Sequence, residues 1–234
     1  MYLKQSALSD CLIFMHKKIE RSTERICIIK NEIVSEGVHM LSLEYKPSFI
    51  PGQVIALTTN FALEPRLYSI ARGIHDPCLH ILFDIKPAGK LSPLLAGLTP
   101  GEHIYIAEPG GSFIYDKMPA VWIAAVTGIA PFLSMLRLGL SQRKMLVQEA
   151  RTIETFFSGT ISANIKRKLC TVLFRREIEG ISQGRVSAFL KNIFVPDAAI
   201  LHYICGSAEF IVDIREILIT RGIPFEHIIT EIYF

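Results

Sequence analysis

Near Met118 the apolar residues of this 234-residue chain change their rhythm, and that change constrains the fold more than any single motif. From Arg25 to about Tyr115 they come in short runs, Ile26 to Ile29, Val38 to Leu43, Val54 to Leu57, Leu79 to Ile85 and Ile104 to Ala107, separated by Gly, Pro and Asn. Short strands at that spacing predict a small antiparallel barrel. Leu91 to Leu98 is the one helix-like stretch among them, closed by the turn Thr99-Pro100-Gly101. From about Met118 onward apolar runs alternate with longer amphipathic stretches: Ala120 to Ala125 with a helix after Pro131, Met145 to Ala150, Cys170 to Phe174, then Tyr203 to Cys205 with Ala208 to Arg221. Alternating β and α predicts a parallel sheet covered by helices. Ile228 to Phe234 reads as a last strand. The expected organisation is an N-terminal extension over 1–22, a β-barrel domain over 23–117 and a Rossmann-like α/β domain over 118–234, with no repeat or low-complexity linker between them.

Half of the residues are apolar and 20% are charged, so a chain of this length can bury a core without disulfides or metals. Lys plus Arg number 25 against 22 acidic residues, and a net charge of +3 is too mild to announce a nucleic-acid protein. The cysteines, Cys11, Cys27, Cys78, Cys170 and Cys205, are scattered and never form a CxxC pair, which argues against a disulfide framework and against zinc. A reducing cytoplasm is the expected location. His39, His75, His103, His202 and His227 show no metal spacing, so no metal site is expected. The most apolar stretch, Ala120 to Leu133, is broken by Thr127, Gly128 and Pro131, short of the roughly 18 clean apolar residues a membrane span needs. The charge order around Cys11 to Met15 is wrong for a secretory signal, so the first 22 residues are read as a short extension or a packed helix.

Four segments lie where a strand meets a loop. In RLYSIA, Arg66 to Ala71, an arginine two residues before a tyrosine shares its face of the strand, so a guanidinium fork and an aromatic ring can address one ligand; an ordinary strand is the alternative. In AGKLSPLL, Ala88 to Leu95, backbone N–H groups opening a helix with Ser92 nearby form an anion site or a plain capping turn. GGSF, Gly110 to Phe113, is a turn by default and a close-approach loop beside a cofactor. TGIAPFLS, Thr127 to Ser134, follows an apolar strand directly, and Gly128 with Pro131 in the first helical turn makes a glycine-containing βα turn, the usual seat of a dinucleotide pyrophosphate, although not a GxGxxG fingerprint. CGS, Cys205 to Ser207, ends another strand and opens a helix, so it shares a sheet edge with Gly128, and two such turns define a cleft. A buried structural cysteine is the commoner fate of a single Cys such as Cys205.

Taken in order, PGQ (Pro51 to Gln53), RLYS, GKLS, GGSF, TGIAPF, CGS and a terminal EIYF resemble the ferredoxin-NADP reductase family of flavoenzymes, in particular the bacterial ferredoxin or flavodoxin-NADP reductases. The resemblance runs from about Arg25 to the last residue. It implies an antiparallel FAD-binding barrel followed by a Rossmann-like NADP-binding domain. Carried over residue by residue, it implies that Arg66 contacts the FAD pyrophosphate, that Tyr68 packs against the isoalloxazine, that Ser69 hydrogen-bonds near flavin N5, and that Leu67 lies in the same FAD-binding strand. Backbone of Gly89, Lys90, Leu91 and Ser92 would hold FAD phosphate oxygens. Thr127 and Gly128 match the loop on the nicotinamide-dinucleotide pyrophosphate, and Cys205 and Gly206 match the segment beside the nicotinamide. Glu231 and Tyr233 match the terminal carboxylate and the ring that stacks on the flavin face opposite Tyr68, with Phe234 as a one-residue extension near the FAD. Ser69, Cys205, Glu231 and Tyr233 are thus the implied catalytic set.

The segments ARTIET, FRRE and QGRVSAFL resemble three arginine-bearing segments of the bacterial reductases, so Arg151, Arg176 and Arg185, with Arg175 where a serine is more usual, are the implied cations for the adenosine 2'-phosphate of NADP(H). Solvated surface arginines are the alternative. One departure stands out: the family's pyrophosphate loop usually has a glycine where this chain has Val126, which weakens close backbone approach. No cysteine cluster follows the α/β domain, so the electron acceptor is expected to be a separate protein. The implied activity is hydride transfer between NADP(H) and flavin N5, and single-electron exchange with ferredoxin or flavodoxin, by a monomer without nucleic-acid or membrane partners. The alternatives are an NAD(P)H-dependent flavin or quinone reductase, and a flavin-binding electron-transfer subunit of a larger complex.

Overall fold

The computed structural model describes residues 23–72, 77–115, 118–136, 145–150, 172–173 and 184–233. The first half forms six antiparallel strands, β1 (Thr23–Ser35), β2 (Val38–Leu43), β3 (Val54–Thr58), β4 (Arg66–Arg72), β5 (Leu79–Asp84) and β6 (His103–Ala107). They pair in the order β1-β2-β5-β4-β3-β6, and β6 pairs back onto β1 through Ile26↔Ile104, which closes the barrel. Alternate residues point inward and fill it: Ile28, Leu41, Leu43, Ile55, Leu57, Ile70, Ile81, Ile104 and Ile106 form one core. The short helix α1 (Ser92–Gly97) plugs one end with Leu91 and Leu95, and Asn31 of β1 ties it down by donating from Nδ2 to the carbonyls of Leu95 (3.0 Å) and Leu98 (2.8 Å). β1 is longer than its apolar run Ile26 to Ile29 suggests. Its polar second half pairs with β2 as far as Ser35↔Val38, so antiparallel pairing rather than burial extends it, and Ile33 there is exposed.

The second half is a parallel sheet of β7 (Ala120–Ala125), β8 (Met145–Glu149), β9 (Val172–Leu173), β10 (Leu201–Ser207) and β11 (Ile228–Tyr233), ordered β11-β10-β7-β8-β9. A 3-10 turn, Val126–Ile129, leads into α2 (Ala130–Leu136); α3 (Val186–Asn192) and α4 (Ala208–Thr220) complete the described helices. Strand alternation sorts β7 between two faces. Val121 and Ile123 pack under α3 and α4 with Phe189, Leu190, Ile214 and Leu218, while Trp122 and Ala124 face the barrel side, where Trp122 stacks on Phe132 of α2 at 5.3 Å. The expected strand at Cys170 to Phe174 is described only over Val172–Leu173, and residues 116–117, at the expected domain boundary, lie outside the described residues.

The two sheets share one core. Val38 and Met40 of β2, Ala71 of β4 and Leu82 of β5 point outward from the barrel and pack with Phe132, Leu133 and Leu136 of α2 and with Phe113 and Tyr115. This accounts for β2 being buried at every position, inward residues in the barrel core and outward ones in the shared core. The PGQ segment completes the join. Gly52 has φ +98°, its N–H donates to Ser134 Oγ at 3.1 Å, and a Cβ there would sit 2.0 Å from the Phe113 carbonyl oxygen, so only glycine fits.

Candidate active site

Ser69, Cys205, Glu231 and Tyr233 converge from strands of both sheets. Ser69 lies on the outward face of β4, opposite to Tyr68 and Ile70, so it leaves the barrel core and meets the parallel sheet. Its hydroxyl donates to Glu231 Oε1 in a short hydrogen bond that joins barrel to C-terminal strand. β11 pairs with β10 in the register Cys205↔Glu231 and Ser207↔Tyr233, which sets the thiol beside the carboxyl.

Burial governs the ionisation of this cluster. It pushes the Glu231 carboxyl up to about 7, against the Ser69 hydrogen bond that favours the carboxylate, so the protonated form is populated well above the ordinary carboxylate range. Burial, reinforced by the Glu231 charge, pushes the Cys205 thiol up, so Cys205 is a neutral thiol rather than a reactive thiolate. The Tyr233 phenol is raised by burial as well, and its buried hydroxyl lies against Ser69 and Cys205 without a hydrogen bond of full geometry to either. A buried hydroxyl whose hydrogen bonds are incomplete is costly, and a ligand with polar edges could complete them beside Ser69 and Glu231.

Along β4 the expected ligands are spread as strand geometry requires. Arg66 is exposed, with Glu64 at 3.5 Å as an ion partner. Leu67 is exposed on the opposite face, and Tyr68 is half-buried, edge-on to Phe83 at 6.0 Å, its phenol pushed to about 12 by burial, with the Arg66 cation opposing and Asp84 adding. In the GKLS turn Gly89 N–H donates to Lys86 O at 2.8 Å, and Ser92 Oγ accepts the Lys86 N–H at 2.9 Å. Ser92 thus closes the turn, Leu91 anchors it in the barrel core, and Lys90 is exposed on its rim.

At the other side lies the expected cleft, where strand order reverses between β7 and β10. The two βα turns touch there. A Cβ on Gly128 would lie 2.2 Å from Cys205 O, and one on Gly206 would lie 2.8 Å from Phe210 Cδ1 and 3.2 Å from Ala125 Cβ. The missing side chain of Gly128 therefore serves the packing of turn against strand. Thr127 is buried as well, with Oγ1 donating to Asp84 Oδ1 at 3.5 Å across the join. The residues that line the open cavity of about 340 Å³ are their neighbours Ala125 and Val126, with Ser207, Arg185 and Glu149 among those opposite. Arg185 stands exposed on its lip. Arg151, Arg175, Arg176 and Phe234 lie outside the described residues.

Sequence reasoning placed Ser207 at the strand-to-helix turn without a site role and passed over Glu149; Ser207 Oγ caps α4 by accepting the Phe210 N–H at 3.3 Å, and Glu149 Oε2 accepts the Val186 N–H at 3.1 Å. Both were findable as polar residues closing apolar runs at the C-terminal ends of parallel strands, where ligands bind in open α/β sheets. Asp84, which also holds Lys86 Nζ at 2.9 Å, closes a barrel strand in the same way.

No protein-family model matches the chain. It is 30% identical over 142 residues to the flavodoxin/ferredoxin–NADP reductase of Escherichia coli, a match over 54% of this chain and 57% of the relative. It is 28% identical over 178 residues to the flavohemoprotein of Candida albicans, over 68% of this chain and 44% of that one. The chain thus spans about half the length of the curated relatives it matches. Among solved structures, a ferredoxin NADP+ reductase from Neisseria gonorrhoeae with bound FAD and NADP superposes with a TM-score of 0.79 at 19% identity, covering 91% of this chain and 99% of the other. The fold is shared from the barrel to the last strand.

Proposed function

Because this chain has the ferredoxin reductase-like fold and is related in sequence to bacterial flavodoxin/ferredoxin–NADP reductases, we propose that it is an FAD-containing oxidoreductase that passes electrons between NADP(H) and a separate one-electron carrier of the ferredoxin or flavodoxin type. Residues 23–117 would hold the flavin and 118–234 the nicotinamide nucleotide. The observation that carries the reading is the Ser69 to Glu231 hydrogen bond, which sets a hydroxyl, a carboxyl raised by burial and a buried tyrosine hydroxyl at the meeting of barrel and sheet.

The residues fit a flavin dinucleotide: an exposed guanidinium at the start of β4 for phosphate, the backbone of 89–92 for further phosphate oxygens, two tyrosine rings for a flat heterocycle, and a row of polar atoms for its edge. FAD, when bound, supplies the two-electron to one-electron conversion. Arg66 would neutralise the pyrophosphate. Tyr68 and Tyr233 would bracket the ring system, and Tyr233 would yield its place to the nicotinamide. Ser69 donates its hydroxyl to Glu231 Oε1, and a Glu231 protonated near neutral pH would carry its proton on the other carboxyl oxygen. Cys205, neutral and small, leaves the space beside Ser69 uncharged. Arg185 would meet the 2'-phosphate at the cavity lip.

The test is the absorbance spectrum of the purified protein, reconstituted with FAD if needed, followed by anaerobic addition of NADPH or NADH and then of an acidic carrier at rising salt. Flavin bands bleached faster by NADPH, and carrier reduction that slows with salt, support the proposal. Turnover with quinones or free flavin at a salt-insensitive rate, and none with carriers, would replace it with a small-acceptor reductase. Absence of flavin after reconstitution would remove the activity altogether.

A further inference from the structure

Among the described residues Val126 alone combines a side chain with positive φ, +49°. A β-branched residue is a true outlier in the left-handed region, because its Cβ crowds the following carbonyl. The surroundings force it. Ala125 is still extended, φ −115° and ψ 125°, and is held in the sheet against Glu149 of β8. By Ala130 the chain is helical, φ −52° and ψ −52°. Between them Gly128 must seat against the Cys205 carbonyl, which leaves Val126 to absorb the reversal.

Strain that persists at the mouth of a cleft invites a functional reading. Val126 packs partly against the shared core and also lines the open cavity beside Ala125, together with Ser207, the Arg185 cation and the carboxylates of Glu149, Glu209 and Asp213. It opens the first βα turn of the sheet at the strand-order reversal, where backbone N–H groups receive dinucleotide phosphates and where close approach requires a bare backbone.

We propose that Val126 sets the dinucleotide affinity of this chain: its isopropyl group holds the pyrophosphate off the βα turn, so the site binds nicotinamide dinucleotides about tenfold more weakly than the same turn carrying glycine would. The inference rests on the nucleotide-binding reading above and adds to it the residue that tunes binding. The effect is confined to ligands with a pyrophosphate. An adenosine monophosphate contacting only the Arg185 side of the cavity is indifferent to it.

The experiment uses the FAD-loaded wild type, Val126→Gly and Val126→Ala, titrated with NADP+ and with adenosine 2'-monophosphate by difference absorbance and calorimetry. Both variants are expected to tighten NADP+ by about tenfold and to leave adenosine 2'-monophosphate within about twofold. Val126→Gly should also melt above Val126→Ala by about 2 °C, reversing the usual order of the two residues, because only glycine relieves the positive φ. Unchanged or weaker NADP+ binding in both variants, with the wild type binding normally, overturns the inference and leaves the functional reading standing. Equal tightening of both ligands overturns it too, since the side chain would then act away from the pyrophosphate. If none of the three proteins binds either ligand, the functional reading fails and this inference with it.

Discussion

Substituting Gly128 with alanine tests whether the two βα turns are locked together as described. The added Cβ would lie 2.2 Å from Cys205 O, 2.7 Å from Cys205 C and 3.0 Å from Gly206 N, all backbone atoms of a strand paired on both sides. No side chain can swing aside, so relief needs β10 and the turn to part by about an ångström, and overpacking of this rigid kind costs about 3 kcal/mol. At this chain length that lowers the melting temperature by about 6 to 12 °C. The displacement falls on Cys205, so the pairing that sets Glu231 beside it shifts as well, and flavin reduction by NADPH should slow beyond what lost stability explains. Gly97 provides the control. Nothing lies within 4 Å of its Cβ position, and alanine there, at the end of α1, should leave the melting temperature unchanged or slightly raised. Thermal unfolding followed by circular dichroism decides it; a Gly128→Ala protein melting within 1 °C of wild type, on the order of experimental scatter, would refute the locked-turn reasoning.

Glu231 and His202 bend the pH-stability profile in opposite directions. Glu231 is raised from 4.5 to about 7, so the folded state holds its proton more tightly than the unfolded chain; that stability is complete below about 4.5 and is lost as pH rises through 7. Glu231→Gln should therefore match wild-type apoprotein at pH 5 and exceed it by up to about 3 kcal/mol at pH 8 in urea titrations, and equal stabilities at pH 8 would argue against a buried carboxyl. His202, wholly buried, keeps Nδ1 on the Ile200 carbonyl at 3.1 Å with Nε2 unpartnered, and burial lowers it to about 4. Its contribution is present above 6.5 and is lost as pH falls through 4, up to about 3 kcal/mol, and His202→Gln should flatten the acid limb of the same profile. Arg185→Gln should weaken NADPH by about tenfold and leave NADH within about twofold, as read from the concentration dependence of flavin reduction; an equal loss for both would place Arg185 away from the 2'-phosphate.

The two-part architecture was legible because each half writes its period plainly. Inward residues of the barrel strands alternate, and the β7 run reads as a strand buried on both faces. The shared core was not legible. Val38, Met40 and Leu82 carry the same apolar signal whether they face barrel interior or partner sheet, and sequence periodicity does not say which elements meet. At the site, the ordered motifs named candidate residues, and packing shows which of them the fold brings together. Gly128 and Thr127, expected at a dinucleotide pyrophosphate, are buried where turn meets strand, and Val126, noticed as a departure from the expected glycine, is the residue that carries the positive φ. Glu149 went unnoticed and Ser207 was read only as part of a turn, because a polar residue ending an apolar run has many bland explanations, and the arrangement of strand ends around the cavity singles these two out.

The shared core also limits how the protein can move. Domains joined through a narrow linker open and close around their ligands, but here the outer wall of the barrel and the floor of the parallel sheet are the two sides of one apolar layer through Met40, Leu82, Phe132 and Leu136. Prising them apart would wet that layer, at about 25 cal/mol for each Å² exposed. The spacing of barrel and sheet at Ser69 and Cys205 is accordingly set by packing, and on the proposed reading what would yield to a ligand is small: the Tyr233 ring, Arg185 on the lip, Val126 at the turn. On that reading the molecule would work as a preset gauge, passing or refusing a ligand at the scale of one side chain.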